Sequence, residues 1–204
     1  MEIETRSGLP VEIRAKDDGS VIVEGYAAVF DQVAEIGGIF REVVRRGAFK
    51  NAIQRGDDVT FNVGHNDNWL LARTKSGTLK LTEDERGLRI YSELDPTDPD
   101  VARLVPKMKR GDLSEMSFAF RIPEGGQDWS VSADGLDLRE IRDVHLHDVS
   151  VVPVPAYGGT SIALRSRDDD REKALKEQQE SQKEHNQAAY LRRKAEQEQK
   201  FRSI

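Results

Sequence analysis

Three polar side chains on separate stretches of the 204-residue chain have the types that form a nucleophile, a base and an orienting acid: Ser117, His65 and Asp148. In such a set, the histidine accepts the serine proton and later passes it to the leaving amine. The carboxylate holds the imidazole in one tautomer and stabilises the imidazolium that forms. The sequence therefore raises the hypothesis of acyl transfer at Ser117.

Local patterning predicts where these side chains lie. His65 follows the apolar run 59–63 and precedes a polar stretch, 66–69, that we expect to be a loop beside a cleft. Alternation along residues 116–120 places Ser117 on the face with Ala119, away from the bulky side chains, with open space in front of it. The same alternation places Asp148 in an apolar stripe with Leu146. Because an unpaired buried carboxylate is costly, Asp148 should have a hydrogen-bonded partner.

Ordinary explanations of the same residues stay open. Ser117 has no strand-to-helix Gly-x-Ser-x-Gly elbow and fits as a small strand residue, and Asp148 fits as the partner of Arg142. His145 and His147 form a His-x-His pair that is able to bind zinc or iron, which predicts a metal-dependent hydrolase instead. No third ligand at a fixed spacing supports that metal site.

Gly and Pro punctuate residues 1–164, and short apolar runs of strand length lie between the turn signals. The pattern predicts strands at 21–30, 59–63, 78–81, 88–94, 116–122 and 144–152, helices at 47–55 and 98–110, and a hairpin turn at 17–20. Gly56 and Gly111 would end the helices, and Asp98 would begin the second one. We expect an α+β fold, a small closed β-barrel surrounded by helices.

Composition excludes several classes of protein. The chain has no cysteine, so it has no disulfide framework and no thiolate site. No run approaches the roughly 18–20 apolar residues of a membrane span, and a net charge of −6 argues against nucleic acid as a partner. Residues 165–204 are rich in Gln, Glu, Lys and Arg, which predicts a charged helical or disordered tail behind a folded domain at 1–164.

Seven sequence words, in order, resemble the prohead maturation protease family of tailed bacteriophages. They are Gly25-Tyr26-Ala27-Ala28-Val29-Phe30-Asp31, Arg46-Gly47-Ala48-Phe49, the strand before His65, the hairpin ending Gly87-Leu88, Arg110-Gly111-Asp112-Leu113, Met116-Ser117-Phe118-Ala119-Phe120, and the run from Leu146 to Val152 with Pro155-Ala156 beyond it. The resemblance covers residues 11–164. It implies a serine endopeptidase without a cofactor.

That family is distantly similar to herpesvirus assemblin, a serine protease with a β-barrel surrounded by helices. The resemblance implies His65, Ser117 and Asp148 as the catalytic set, although assemblin has a second histidine where this chain has Asp148. His147 is the alternative orienter and Ser114 the alternative nucleophile. The arginines that follow this strand in assemblin are missing here, and we expect oxyanion donors from the backbone near Gly158 and Gly159 instead.

The resemblance also implies a setting. Such a protease acts in the host cytoplasm inside the immature procapsid, where it cleaves the scaffolding domain or scaffold protein from the major capsid protein and digests itself. It implies a homodimer and a tail at 165–204 that targets the enzyme to the shell and is then cut away, whereas composition argues against nucleic acid or a membrane as a partner. The alternative is a catalytically silent scaffolding or assembly module on the same fold.

Overall fold

A computed structural model describes residues 3–15, 21–132 and 135–153, and scattered positions between 168 and 187. Two helices, α1 (Lys50–Arg55) and α2 (Pro99–Arg110), lie within residues 21–132. The strands are β1 (Glu4–Ala15), β2 (Val21–Val29), β3 (Ala34–Ile36), β4 (Phe40–Val44), β5 (Thr60–Val63), β6 (Asn66–Arg73), β7 (Leu79–Glu83), β8 (Gly87–Leu94), β9 (Glu115–Arg121), β10 (Gln127–Val131), β11 (Asp137–Ile141) and β12 (His145–Val152).

Eight strands form one sheet in the order β6-β5-β12-β9-β1-β2-β8-β7, and four form a second sheet in the order β10-β11-β4-β3. The outermost strands of the large sheet, β6 and β7, are joined by only five residues, so its two edges come together at that turn. They do not pair there. The N–H of Arg73 donates to Thr78 Oγ1 (2.9 Å), and this hydroxyl donates back to the Arg73 carbonyl (3.3 Å).

The expected closed barrel is therefore wrong for the described part of the chain. Side-chain hydrogen bonds of the turn occupy the backbone groups of Arg73 that would begin a β6–β7 ladder, and the sheet keeps two edges. The α+β class itself is confirmed, since two helices accompany two sheets.

Most of the predicted elements are present. The hairpin β7–β8, the strands β9 and β12, and both helices lie close to their predicted positions. Asp98 caps α2 by accepting from the N–H of Asp100, and Gly56 and Gly111 end the helices in the left-handed conformation. The stretch 66–69, expected as a loop, is instead the start of β6. The hairpin turn predicted at 17–20 lies outside the described residues, although β1 and β2 pair as a hairpin would.

Aromatic packing connects α1 with the large sheet. Phe49, at the start of α1, stacks on Phe30 with ring centroids 6.0 Å apart and meets Phe118 of β9 edge-on at 5.4 Å. All three rings are buried. These contacts fix the inner face of β9, the strand that carries Ser117.

A buried network of four charges joins the two sheets. Arg6 of β1 and Arg139 of β11 lie between Glu4 of β1 and Glu42 of β4, and none of the four residues is more than 4% exposed. Burial acts to raise the pKa of Glu4, but hydrogen bonding and the positive charge of Arg139, and then of Arg6, hold it below its ordinary value of 4.5. The network fastens the N-terminal half of β1 to the small sheet.

The chain divides into two units, Met1–Ile162 and Ala163–Ile204. The described residues of the second unit are helical and those whose side chains are described are exposed; Lys176 pairs with Glu172 one helical turn away at 2.7 Å. A targeting role for residues 165–204 stays a prediction. Among the described residues, no helix is both long enough and apolar enough to cross a membrane.

Candidate active site

Three side chains from three different strands or turns meet beside β9. His65 Nε2 lies 2.7 Å from Ser117 Oγ, and His65 Nδ1 lies 2.6 Å from Asp148 Oδ1. Both distances are hydrogen bonds, and together they give the serine, imidazole, carboxylate order of a nucleophile, base and orienter. The three residues selected from the sequence are therefore adjacent in the folded chain.

A tight turn presents the histidine. Gly64 and His65 alone connect β5 to β6, and both have positive φ, 65° and 56°. Two consecutive left-handed residues are typical of a two-residue hairpin turn. Glycine adopts this conformation freely, whereas at His65 it is uncommon for a side-chain-bearing residue and must be held by its surroundings. The Gly64 N–H donates to the Val151 carbonyl at 2.9 Å, which fixes the turn against β12.

A β-bulge presents the carboxylate. Leu146 pairs with Phe120 and Asp148 pairs with Ala119, so His147 is an extra residue between the two pairs. Paired residues of neighbouring strands face the same side of a sheet. Leu146 therefore faces the side of Phe120, whereas Asp148 faces the side of Ala119 and Ser117. The expectation from alternation that Asp148 shares a face with Leu146 is wrong, because the bulge inverts the pattern.

The hydrogen-bond partners favour one arrangement of the protons. An ionised Asp148 only accepts, so the imidazole carries its proton on Nδ1, and Nε2 of the neutral ring is left as the acceptor facing Ser117. The Ser117 hydroxyl has a single proton and two acceptors within reach, His65 Nε2 and the backbone carbonyl of Arg6 at 2.8 Å. Activation of Ser117 requires its proton to point to Nε2 and away from Arg6.

Ser117 is fully buried, with 0% of the residue exposed, so the expected open space in front of it is wrong. The reason is its central position in the sheet. β9 has a neighbour on each side, with Ser117 between Ser7 of β1 and Ser150 of β12. The side chains of His65 and Asp148 are 18% and 13% exposed, so solvent reaches the base and the carboxylate but not the hydroxyl.

The alternative residues lie elsewhere. Ser114 is half-buried in the segment before β9 and is not the hydroxyl that meets His65 Nε2. His147 is the bulge residue, and within the described part of the chain its Nε2 has no hydrogen-bond partner. Burial, followed by the positive charge of Arg121, lowers the pKa of His147 below 6.5. His145 is exposed at the start of β12.

The expected hydrogen-bonded partner of Asp148 is present, and it is His65. Arg142, the ordinary explanation for Asp148, pairs instead with Asp128 and Glu140. In the described ranges, no three His, Asp or Glu side chains are grouped as metal ligands, which leaves the His145/His147 metal hypothesis without a supporting third residue. Gly158 and Gly159, the predicted oxyanion donors, lie outside the described residues.

Sequence reasoning missed Ser150. Its hydroxyl donates to Asp148 Oδ1 at 2.9 Å and accepts from the backbone N–H of His65 at 3.0 Å. The signal was available, since a residue two positions after Asp148 on one strand shares its face.

Comparison with known proteins decides the family. The model of the Caudovirus prohead serine protease family matches residues 9–174. The chain belongs to this family. The prohead protease of Enterobacteria phage HK97 is 30% identical over 162 residues, which cover 79% of this chain and 68% of that relative. No solved structure matches, and the likeness to herpesvirus assemblin stays a prediction.

The family match covers every residue of the hydrogen-bonded set. His65, Ser117, Asp148 and Ser150 all lie within residues 9–174, whereas Arg6, whose carbonyl accepts from Ser117, precedes the matched range. Membership in a prohead serine protease family agrees with a serine placed against an imidazole and a carboxylate. The hydrogen-bonded set of four residues thus lies within the part of the chain that the family model matches.

Proposed function

We propose that this prohead serine protease uses Ser117 as its nucleophile, His65 as its general base and acid, and Asp148 as the carboxylate that orients the imidazole. The observation that carries the proposal is the pair of hydrogen bonds on the two ring nitrogens of His65, 2.7 Å to Ser117 and 2.6 Å to Asp148. Geometry of this kind is the requirement for proton transfer from a serine in acyl transfer.

In the proposed reaction, Ser117 Oγ attacks the carbonyl carbon of the scissile peptide while its proton passes to His65 Nε2. The new imidazolium is stabilised by the Asp148 carboxylate against Nδ1–H. The C–N bond then breaks, His65 gives its proton to the leaving amine, and an ester on Ser117 remains. Water, deprotonated by the same Nε2, attacks the ester carbon, the bond from this carbon to Ser117 Oγ breaks, and His65 returns the proton to Oγ as the second product leaves with a carboxyl end.

The substrate in this proposal is the scaffolding domain or scaffold protein attached to or assembled with the major capsid protein, together with the protease itself. The setting is the immature procapsid in the host cytoplasm. The name of the HK97 relative, a prohead protease, supports this setting. A homodimer is part of the proposal only through the expected likeness to assemblin.

Burial of Ser117 adds a requirement. Because the hydroxyl is fully buried and in reach of the Arg6 carbonyl, a peptide must displace part of the surrounding chain before it reaches Oγ. Confinement in the procapsid or dimerisation would favour the opened form, so cleavage should be faster in the assembled particle than in the purified chain.

The tail is proposed to hold the enzyme in the particle. The described residues between 168 and 187 are helical and exposed, and several of them carry a charge. Deleting residues 166–204 should lower the amount of protease per purified procapsid while leaving the cleavage chemistry of the remaining domain unchanged. Equal incorporation of the shortened and full chains would remove the targeting role.

Co-expression of the full chain with the capsid protein of its own phage tests the function. The wild type should shorten capsid subunits and trim itself, as followed by intact mass, and Ser117→Ala should do neither while assembling procapsids of normal appearance. The matched control is Ser92→Ala, which removes another fully buried strand hydroxyl that donates to a backbone carbonyl, at 2.9 Å, away from His65. It should retain cleavage.

Each other outcome assigns a different function. Cleavage that persists in Ser117→Ala but is lost in Ser114→Ala moves the nucleophile to Ser114. Cleavage lost on addition of a chelator and indifferent to Ser117 indicates a metal-dependent hydrolase at His145 and His147. Procapsids that form normally with no cleavage by the wild type indicate a silent assembly module.

A further inference from the structure

Ser150 lies at the point where the histidine turn and the carboxylate strand meet. It is fully buried on β12, directly opposite Ser117 of β9 and Asn62 of β5. Its hydroxyl makes two hydrogen bonds, one with the carboxylate of Asp148 and one with the backbone N–H of His65. These are the two residues whose side chains form the imidazole–carboxylate contact. Ser150 does not contact Ser117 Oγ in any described hydrogen bond, and it lies one strand away from the nucleophile.

The direction of both bonds is fixed by chemistry. The backbone N–H of His65 can only donate, so Ser150 Oγ accepts from it, and an ionised Asp148 can only accept, so Ser150 O–H donates to Oδ1. The single hydroxyl proton is thereby committed to Asp148. The same Oδ1 also receives Nδ1–H of His65, so two donors converge on one carboxylate oxygen.

This arrangement helps to hold the backbone of the histidine turn in its left-handed conformation. His65 has a φ of 56°, a backbone conformation that is uncommon for a side-chain-bearing residue and persists only when neighbouring contacts determine it. The bond from the His65 N–H to Ser150 is such a contact. Through it, the backbone of the base and the carboxylate that orients the base are both tied to one hydroxyl.

We infer that Ser150 is a positioning residue, which sets the imidazole of His65 and the carboxylate of Asp148 in register for proton transfer from Ser117. The inference rests on the proposed function. It assigns no contact with substrate to Ser150. Loss of its hydroxyl should therefore slow the chemical step and leave substrate binding unchanged.

The test measures covalent labelling of the full-length protein by a fluorescent fluorophosphonate. In this reaction Ser117 Oγ bonds to phosphorus, fluoride leaves and His65 takes the proton. The labelling rate therefore reports how well His65 and Asp148 support proton transfer, and the experiment does not require the cleavage site to be known. Ser150→Ala should lower the maximal labelling rate about 10–100-fold, the usual effect of removing a hydrogen bond that orients a catalytic group. The probe concentration at half-maximal rate should not change.

Two comparisons separate positioning from loss of structure. Ser92→Ala removes a matched buried hydroxyl and should leave the labelling rate within about twofold of the wild type. Ser150→Cys keeps a side chain of similar size with a weak S–H donor and should label at an intermediate rate. This variant also serves if Ser150→Ala does not fold.

Double substitution gives the decisive result. If Ser150 acts through Asp148, its effect should shrink in an Asp148→Asn background, so that the double variant is slower than Asp148→Asn alone by much less than 10–100-fold. The inference would be overturned if the double variant lost labelling rate by the product of the two single-variant factors. It would also be overturned if Ser150→Ala lowered the labelling rate no more than Ser92→Ala does. Labelling that persists in Ser117→Ala would instead overturn the proposed function, so the two failures are distinguishable.

Discussion

Replacing Arg139 by methionine should be among the most damaging single changes in the folded unit. The guanidinium has no exposed area and donates to both oxygens of Glu4 (2.6 and 2.8 Å), to Glu42 (3.0 Å) and to Gln127 (2.7 Å). Methionine keeps an unbranched side chain as far as the position of Nε but removes every one of these bonds. The buried network, neutral with two arginines and two glutamates, would carry one uncompensated negative charge.

Breaking a buried ion pair on one side costs about 3–5 kcal/mol, since the partner is left desolvated. For a domain of this size, that corresponds to a fall of roughly 6–20 °C in Tm, measurable by thermal or urea unfolding followed by circular dichroism. The matched control is Arg142→Met. Arg142 also contacts two carboxylates, but its side chain is 53% exposed, and its loss should cost less than about 1 kcal/mol.

A compensating substitution sharpens the same prediction. Arg139→Met combined with Glu4→Gln makes the network neutral again, with Arg6 facing Glu42, and should recover part of the lost stability. Equal losses for Arg139→Met and Arg142→Met, or no recovery in the double variant, would refute the reasoning that buried charge balance holds β1 to the small sheet.

Three further predictions concern other residues. Gly87→Ala should cost about 1–3 kcal/mol in urea unfolding, because its Cβ would lie 2.0 Å from the Ala28 carbonyl oxygen; a loss near zero would contradict the close β2–β8 approach. Because folding lowers the pKa of Glu4, its ionised carboxylate contributes to the free energy of unfolding above pH 4.5, and this contribution is lost as the pH falls through the pKa of the folded state. Glu4→Gln should therefore make the free energy of unfolding depend less on pH in this acid range. By NMR titration, the His147 ring should protonate with a midpoint below 6.5, because burial disfavours the charged form; a higher midpoint would show that the ring is solvated.

The sequence predicted helices and hairpins well where they are determined by interactions between residues close together in the chain. Asp98 and the glycines at 56 and 111 fix the helix ends through contacts within a few residues, and the hairpin at 79–94 needs only its own turn. The proposed catalytic set was selected on residue type, strand position and resemblance to a family, and its three members are adjacent in the folded chain.

Other features depend on contacts between distant segments. The bulge at His147 arises from how β12 pairs with β9, and it alone turns Asp148 to the face of Ser117. The hydrogen bond from buried Ser117 to the Arg6 carbonyl depends on β1, which lies more than a hundred residues away. Alternation along a single strand contains none of this information.

The account is tested most directly by locating the reactive serine. The purified full chain is incubated with a fluorophosphonate, and the adduct is counted by intact mass and located by peptide mapping. The account predicts one adduct per chain, on Ser117, absent from His65→Ala and from Ser117→Ala. An adduct on Ser114, or labelling of Ser117 that is indifferent to His65, would contradict it.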